Sequence, residues 1–260
     1  MKLPVSVFVI TKNEEHNIGR MLKSVELFSE VILVDSGSTD NTIDIARRYG
    51  ATVFSQDWLG YSKQKQFAMS LCSNEWVLNL DGDEELTPAL ITDITSLIKQ
   101  DDINAVRFTR DDIFIGKTRP AFMKRQTNLR LYRKKFSSFD PSKKVHESAT
   151  VEGKVIVSEN YFIHYGYDNI QALIEKNNRY SSLRIEEKIA KGKKFSPLKL
   201  SLILPLEFLR KFVFQRYFLF GWRGFVLSAI SANYAFLKEA KLLEHQLKTT
   251  STMEKRRTKN

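Results

Sequence analysis

The chain has 260 residues, 42% of them hydrophobic, and a formal net charge of +11. That apolar content is enough to build a core and excludes global disorder. The lone Cys72 excludes an internal disulfide and argues against a cysteine-ligated zinc, which fits a reducing cytoplasm. The charge is unevenly placed. Residues 1–183 hold 24 Lys/Arg and 24 Asp/Glu, whereas residues 184–260 hold 17 Lys/Arg against 6 Asp/Glu, the whole excess. A basic end region implies an anionic partner, either a membrane surface or a nucleic acid.

The opening MKLPVSVFVITKNEEHN has a short apolar run and then charge, with no small-residue cleavage site, so it reads as a first strand and not as a signal peptide. NEEHNIGRMLKSV follows, with Ile18, Met21, Leu22 and Val25 at helical spacing. EVILVDSGSTDNT is a second apolar strand that ends in a polar turn, and TIDIARRYG is a helix stopped by Gly50. ATVFSQ reads as a third strand, SKQKQFAMSLC as a helix and EWVLNL as a fourth strand. Thr87 followed by Pro88 marks the start of a further helix. Strands alternating with helices predict βαβ units in a parallel sheet, with ligands beyond the carboxyl ends of the strands. Three polar clusters converge on that edge: Thr11–Glu14, Asp35–Asp40 and Asp81-Gly82-Asp83.

From about residue 104 the pattern changes to short strands with partial alternation, in NAVRFTRDDIFIG, LRLYRKKF and KVIVSENYFIHYGY, and then to one long helix, NIQALIEKNNRYSSLRIEEKIAKG. The stretch 197–243 is apolar but interrupted by charges. Its longest uncharged run, Gly224 to Leu237, has 14 residues, short of the roughly 20 that a membrane-spanning helix needs. Aromatic and aliphatic residues interleaved with Lys and Arg over 197–223 fit the membrane interface, with packing on the rest of the protein as the alternative.

The four carboxylates Asp81, Asp83, Glu84 and Glu85 directly follow a buried strand. A hard cation such as Mg²⁺ or Mn²⁺ is typically held by one or two carboxylates plus substrate phosphates. On an extended segment Asp81 and Asp83 would point the same way, with Gly82 leaving room for a diphosphate. The competing reading is a solvated acidic turn ahead of a helix.

The segments VFVITKNEEHNIGRMLKSV, VILVDSGSTDNTIDIARRYGATV and GYSKQKQFAMSLCSNEWVLNLDGDEEL resemble the family 2 glycosyltransferases, closely over residues 4–100. RLYRKK, KVHES, FIHYGY and NNRYSS extend the resemblance, through about residue 240, to bacterial β-glucosyltransferases of the lipopolysaccharide inner core. The resemblance implies a GT-A fold, an α/β sheet with helices on both faces. Residues 1–183 would form the transferase domain, with 1–100 as the nucleotide-sugar half and 101–183 as the acceptor half. Residues 184–248 would be a basic, apolar helical extension and 249–260 a disordered tail. It also implies that Thr11, Asn13, Glu14 and Asp35 hold the base and ribose, that Asp81 serves the donor diphosphate and that Asp83 holds the metal. Where family members carry an Arg-Asn pair, 16 residues ahead of the carboxylate motif, this chain has Lys65-Gln66, which makes Lys65 a point-charge contact to the diphosphate. The base for an inverting transfer falls by resemblance on Glu147, with Asp111 and Asp112 as rivals.

Further expectations are that His164 and Tyr165 line the acceptor pocket or reach the diphosphate, and that Arg125 and Arg130 meet phosphate or pair at the surface. The implied reaction moves a hexose, glucose from UDP-glucose, onto a lipid-linked saccharide at the inner face of the cytoplasmic membrane, with Mg²⁺ or Mn²⁺ and without nucleic acid. Alternatives are a transferase acting on another surface polysaccharide or a peptide, an RNA-binding module, or a non-catalytic sugar-nucleotide binder. A nucleotidyltransferase would need a Gly-rich basic loop after the first strand, which ITKNEEHN lacks.

Overall fold

The computed structural model describes residues 2–140, 148–167 and 169–257. The chain forms two compact units, Met1–Ile113 with Arg125–Gly166, and Phe114–Lys124 with Tyr167–Asn260.

In the first unit, strands and helices alternate as β1 (Leu3–Thr11), α1 (Ile18–Ser24), β2 (Phe28–Asp35), α2 (Thr42–Arg48), β3 (Thr52–Ser55), α3 (Tyr61–Ser70) and β4 (Trp76–Asp81). A short β5 (Glu84–Leu86), α4 (Pro88–Leu97) and β6 (Ala105–Phe114) follow. After β7 (Lys117–Thr118), which belongs to the second unit, come β8 (Gln126–Arg133), β9 (Ser137–Ser138), β10 (Thr150–Val151) and β11 (Val155–Tyr167). The sheet order is β3-β2-β1-β4-β8-β6-β11-β5. β3, β2, β1 and β4 are parallel; β8 is antiparallel to β4 and to β6, and β5 to β11.

Helices cover both faces of the parallel half, so its strands are apolar without interruption. The period of two sorts β1. Val5, Val7 and Val9 pack with Ile18, Met21, Leu90 and Ile94 on one face, and Phe8 packs with Ala68, Met69 and Tyr132 on the other. Register then fixes the functional edge. Thr11 pairs with Asp35, Asp35 with Ser55 and Ile10 with Asp81, so the ends of four strands lie side by side. Thr87 caps α4 by accepting the Leu90 amide, with Pro88 in the first turn, as the sequence predicts.

The second unit is built on α5 (Ile170–Ala190), α6 (Pro197–Leu209) and α7 (Gly221–Arg257). α7 packs against both other helices. Glu239, 3% exposed, accepts from Lys188 at 2.6 Å and Lys199 at 2.8 Å, which ties α7 to α5 and α6. The boundary at residue 183 suggested by charge falls inside α5, and α7 continues beyond residue 248 into the segment whose composition suggests disorder. A small core of Phe114, Met123, Leu173, Tyr217 and Leu227 closes the unit. Among the described residues, no helix is long and apolar enough to cross a membrane.

Candidate active site

The loops after β1 and β2 are laced together at the strand ends. The Asn13 amide donates to Ser38 Oγ at 2.8 Å, the Thr39 amide to Asn13 Oδ1 at 2.8 Å and the Glu14 amide to Thr42 Oγ1 at 2.7 Å. Asn13 takes a left-handed φ of 55°, which Asn tolerates better than most residues. Asp35, 1% exposed, uses one carboxylate oxygen to accept the Gly37 and Ser38 amides, both at 2.8 Å. It therefore shapes the turn that follows β2. Buried Gln64 extends this scaffold, donating to Ser36 Oγ at 3.0 Å and to the Gln56 carbonyl at 3.2 Å, and accepting the Leu59 amide. Thr11 Oγ1 is buried and, among the described residues, has no partner. Such a group calls for a ligand or a water.

The carboxylate motif differs from the extended segment expected. β4 ends at Asp81, residues 82 and 83 make a turn, and β5 begins at Glu84. Asp81 and Asp83 consequently face different partners. Asp81 accepts from Lys65 Nζ at 3.2 Å and Arg130 Nη2 at 2.8 Å. Both cations are buried, while the Asp81 side chain keeps 39% of its surface exposed. Removal from water would raise its pKa, but Arg130 and Lys65 outweigh this and hold the carboxyl well below the usual range. Arg130 also donates to Glu84 and, at 3.3 Å, to Asn79 Oδ1, so it is an internal partner and not a surface cation. Burial, helped by Asp81 and Asp83, pushes Glu84 up to about 7 against the pull of Arg130. Gly82 lies against Glu14, whose Cγ would sit 3.1 Å from an added Cβ. The space that the sequence assigned to a diphosphate is thus partly filled by Glu14.

Asp83 Oδ2 stands 3.4 Å from His164 Nε2. His164 lies on β11, paired with Glu84 of β5, and its Nδ1 is 2.7 Å from Asp112 Oδ1. Burial opposes a charge on this imidazole, but Asp112 and Asp83 outweigh it and push the ring up to about 10. A Cβ at Gly166 would lie 2.6 Å from His164 Nε2 and 2.8 Å from Asp83 Oδ2, so only glycine leaves the pair unobstructed. One carboxylate and one imidazole, with Nδ1 oriented by a further carboxylate, is a donor set that fits a divalent cation completed by phosphate oxygens, provided that the cation displaces the proton from Nε2. Among the described residues no cluster of three or more His, Cys, Asp or Glu side chains that could hold a metal occurs.

The rivals for the base are committed elsewhere. Asp111 pairs with Arg125 at 3.0 Å, and Asp112 with Arg110 at 2.9 Å and with His164, and both acids are at most 2% exposed. Glu147 lies outside the described residues. Tyr165, next to His164, points to the other face of β11, where its hydroxyl donates to Glu85 at 2.7 Å and Arg20 covers its ring. The pairings of His164 with Asp83 and of Arg130 with Asp81 are not expected from sequence. The signal for them is polar residues at inward positions of apolar strands, as in LRLYR and FIHYGY.

Residues 6–153 match the model of the family described as glycosyl transferase family 2. An uncharacterized glycosyltransferase of Rickettsia typhi is 39% identical, covering 96% of this chain and 90% of that protein. The lipopolysaccharide core biosynthesis glycosyltransferase LpsC of Rhizobium meliloti is 35% identical, covering 95% of each. The crystal structure of S. aureus TarS 1-349 in complex with UDP-GlcNAc shares the fold, with a TM-score of 0.52 at 16% identity over 93% of this chain and 91% of that one. With a GT-A sheet whose strand ends gather these groups, the chain belongs to glycosyltransferase family 2.

Proposed function

We propose that the chain is an inverting, metal-dependent transferase that moves glucose from UDP-glucose onto a lipid-linked saccharide, the heptose region of the lipopolysaccharide inner core, at the inner face of the cytoplasmic membrane. The observation that carries this reading is the Asp83–His164 pair opened by Gly166, next to an Asp81 fixed by two buried cations. A Mg²⁺ or Mn²⁺ held by Asp83 and His164 would neutralise the donor diphosphate and stabilise its departure. The unpartnered hydroxyl of Thr11 supports a nucleotide at the β1 end, with Asn13, Glu14 and Asp35 shaping the base and ribose pocket. Lys65 acts through Asp81, orienting it and adding positive potential beneath the diphosphate.

The similarity to LpsC supports the acceptor class, and the UDP-GlcNAc bound to TarS supports a UDP-sugar donor. Glu147 takes the acceptor proton as the hydroxyl oxygen attacks the anomeric carbon from the face opposite the leaving diphosphate. The commitment of Asp111 and Asp112 to buried pairs favours Glu147 over them. The basic end region supports a position at an anionic membrane surface, where such an acceptor would reside.

Thermal stability with a panel of nucleotide sugars, with and without Mn²⁺, tests the donor, because a ligand that binds only the folded state raises the midpoint. A metal-dependent rise with UDP-glucose alone is expected. A rise with a different nucleotide sugar would reassign the donor, and a rise with RNA alone would overturn the enzyme reading. Glu147→Gln should keep the donor-induced rise and lose transfer by roughly a hundredfold or more. Undiminished transfer would place the base elsewhere.

A further inference from the structure

The helix α6, PLKLSLILPLEFL, is apolar on nearly every side. A helix of that kind in a soluble protein belongs inside a core, yet no residue of α6 is buried. The exposure continues through the turn into α7. Leu198 is 71% exposed, Leu206 58%, Phe214 79% and Trp222 82%, with Phe218 and Leu219 also exposed. Large apolar side chains exposed in such number along one helix and its following turn are unusual in a soluble monomer.

The surface is built rather than loose. A π-helical turn at Arg210–Phe214 and a 3₁₀ turn at Tyr217–Phe220 reverse the chain between α6 and α7, with Arg216 at a φ of 63° and Gly221 at 57°. Phe208, Phe212 and Phe225 pack ring to ring within it, with centroids 5.3 to 6.0 Å apart. A Cβ at Gly224 would lie 1.7 Å from the Tyr217 carbonyl oxygen, so the turn is locked onto α7.

Charge identifies the occupant. Residues 197–225 carry five Lys/Arg against the single acid Glu207; Lys199 is engaged by Glu239 and Arg210 by Glu207, so the positive excess of this stretch lies at Lys211, Arg216 and Arg223. A second copy of the chain meeting the same face would bring like charges together. An anionic bilayer meets both features, taking the apolar side chains below the headgroups and the cations at their level.

We infer that the α6 helix and the turn to Phe225 form an insertion surface for anionic phospholipid, with Phe214 and Trp222 as its anchors. This deepens the membrane part of the function proposed above and rests on it for the biological acceptor, but the binding itself needs neither donor nor acceptor.

The test is sedimentation of the full chain with vesicles of phosphatidylglycerol and phosphatidylcholine in equal parts, and with phosphatidylcholine alone. The mixed vesicles should retain the protein, less so at high salt, with a blue shift of tryptophan emission that Trp222→Ser removes. Phe214→Ser and Trp222→Ser should each weaken binding by roughly tenfold or more. Lys211→Gln and Arg216→Gln should each weaken it by roughly fivefold. Unchanged melting temperatures would show that the variants fold. Asp83→Ala should bind vesicles like the parent, which separates this inference from the catalytic reading. Equal binding by parent and Trp222→Ser would overturn the inference. So would a dimer in light scattering that Trp222→Ser dissolves, or retention on RNA with none on vesicles.

Discussion

The two units break the ordinary rule of burial in opposite directions. At the strand ends of the first, charged groups are buried: Arg130, Lys65, Glu84, Asp112 and His164 are each less than a tenth exposed. In the second, Leu198, Phe214 and Trp222 stand in the open. Burying charge costs several kcal/mol per ion unless it is paired, and exposing large apolar side chains forgoes about 2 kcal/mol each. Neither arrangement is what stability alone would select, and each is accounted for by the function and the inference proposed above. The first fits a polar, anionic ligand held by fixed charges, and the second fits a lipid phase.

The contrast is broken most severely at Asp83. Asp83→Ala should lower transfer by roughly a thousandfold, the scale of losing a group that stabilises departing charge, and should abolish the Mn²⁺-dependent rise in melting temperature. Full activity of the purified variant would remove the metal assignment. Next comes Arg130→Met, which leaves buried Glu84 without its cation and Asp81 with Lys65 alone. Chemical denaturation should show a loss of about 3 kcal/mol, and adding Glu84→Gln should return part of it. No loss would mean that the buried network carries little weight.

A smaller effect belongs to Glu239, the one buried acid of the α5–α6–α7 junction among the described residues. Burial raises its pKa, but the hydrogen bonds from Lys188 and Lys199 outweigh this and lower it. An acid whose folded pKa is depressed contributes stability above its unfolded pKa and loses it as pH falls through the folded value. Glu239→Gln should therefore cost about 1 to 2 kcal/mol at neutral pH, a difference that shrinks on acidification below pH 4.5. A constant difference across that range would refute the ion-pair account. Trp222→Ser sharpens the comparison from the other side: it should move stability by less than about 0.5 kcal/mol while vesicle binding falls.

Much of the first unit is legible in the sequence because its signals are local. β1 to β4 are continuous apolar runs between helical periods, and Thr87-Pro88 is a cap in plain text. The clustering of Thr11, Asp35 and Asp81 follows once the sheet is parallel. What does not follow is pairing across antiparallel strands. His164 meets Asp83 because β11 lies against β5, and Arg130 meets Asp81 because β8 lies against β4. No local pattern sets those registers, so His164 reads equally as a core histidine and Arg130 as a surface cation. The turn at Gly82-Asp83 was hidden because Asp-Gly-Asp suits an extended segment as well as a bend. In the second unit, α6 is plainly apolar in sequence, but its lack of burial is a tertiary fact.

Gly224 gives the α6–α7 turn an uneven tolerance to substitution. Tyr217's carbonyl occupies the place where any side chain at this position would begin, so even alanine should dislodge the turn. Positions 214, 218 and 222, by contrast, face outward and accept any bulky apolar residue with little effect on folding. Deep mutational scanning read by stability would therefore show intolerant glycines at 221 and 224 amid permissive positions, whereas the same library read by vesicle capture would reverse the contrast at 214 and 222. Drift in natural sequences should follow the stricter of the two demands at each site: glycine held at 224, and aromatic identity exchanged freely for other lipid-soluble side chains at the anchors.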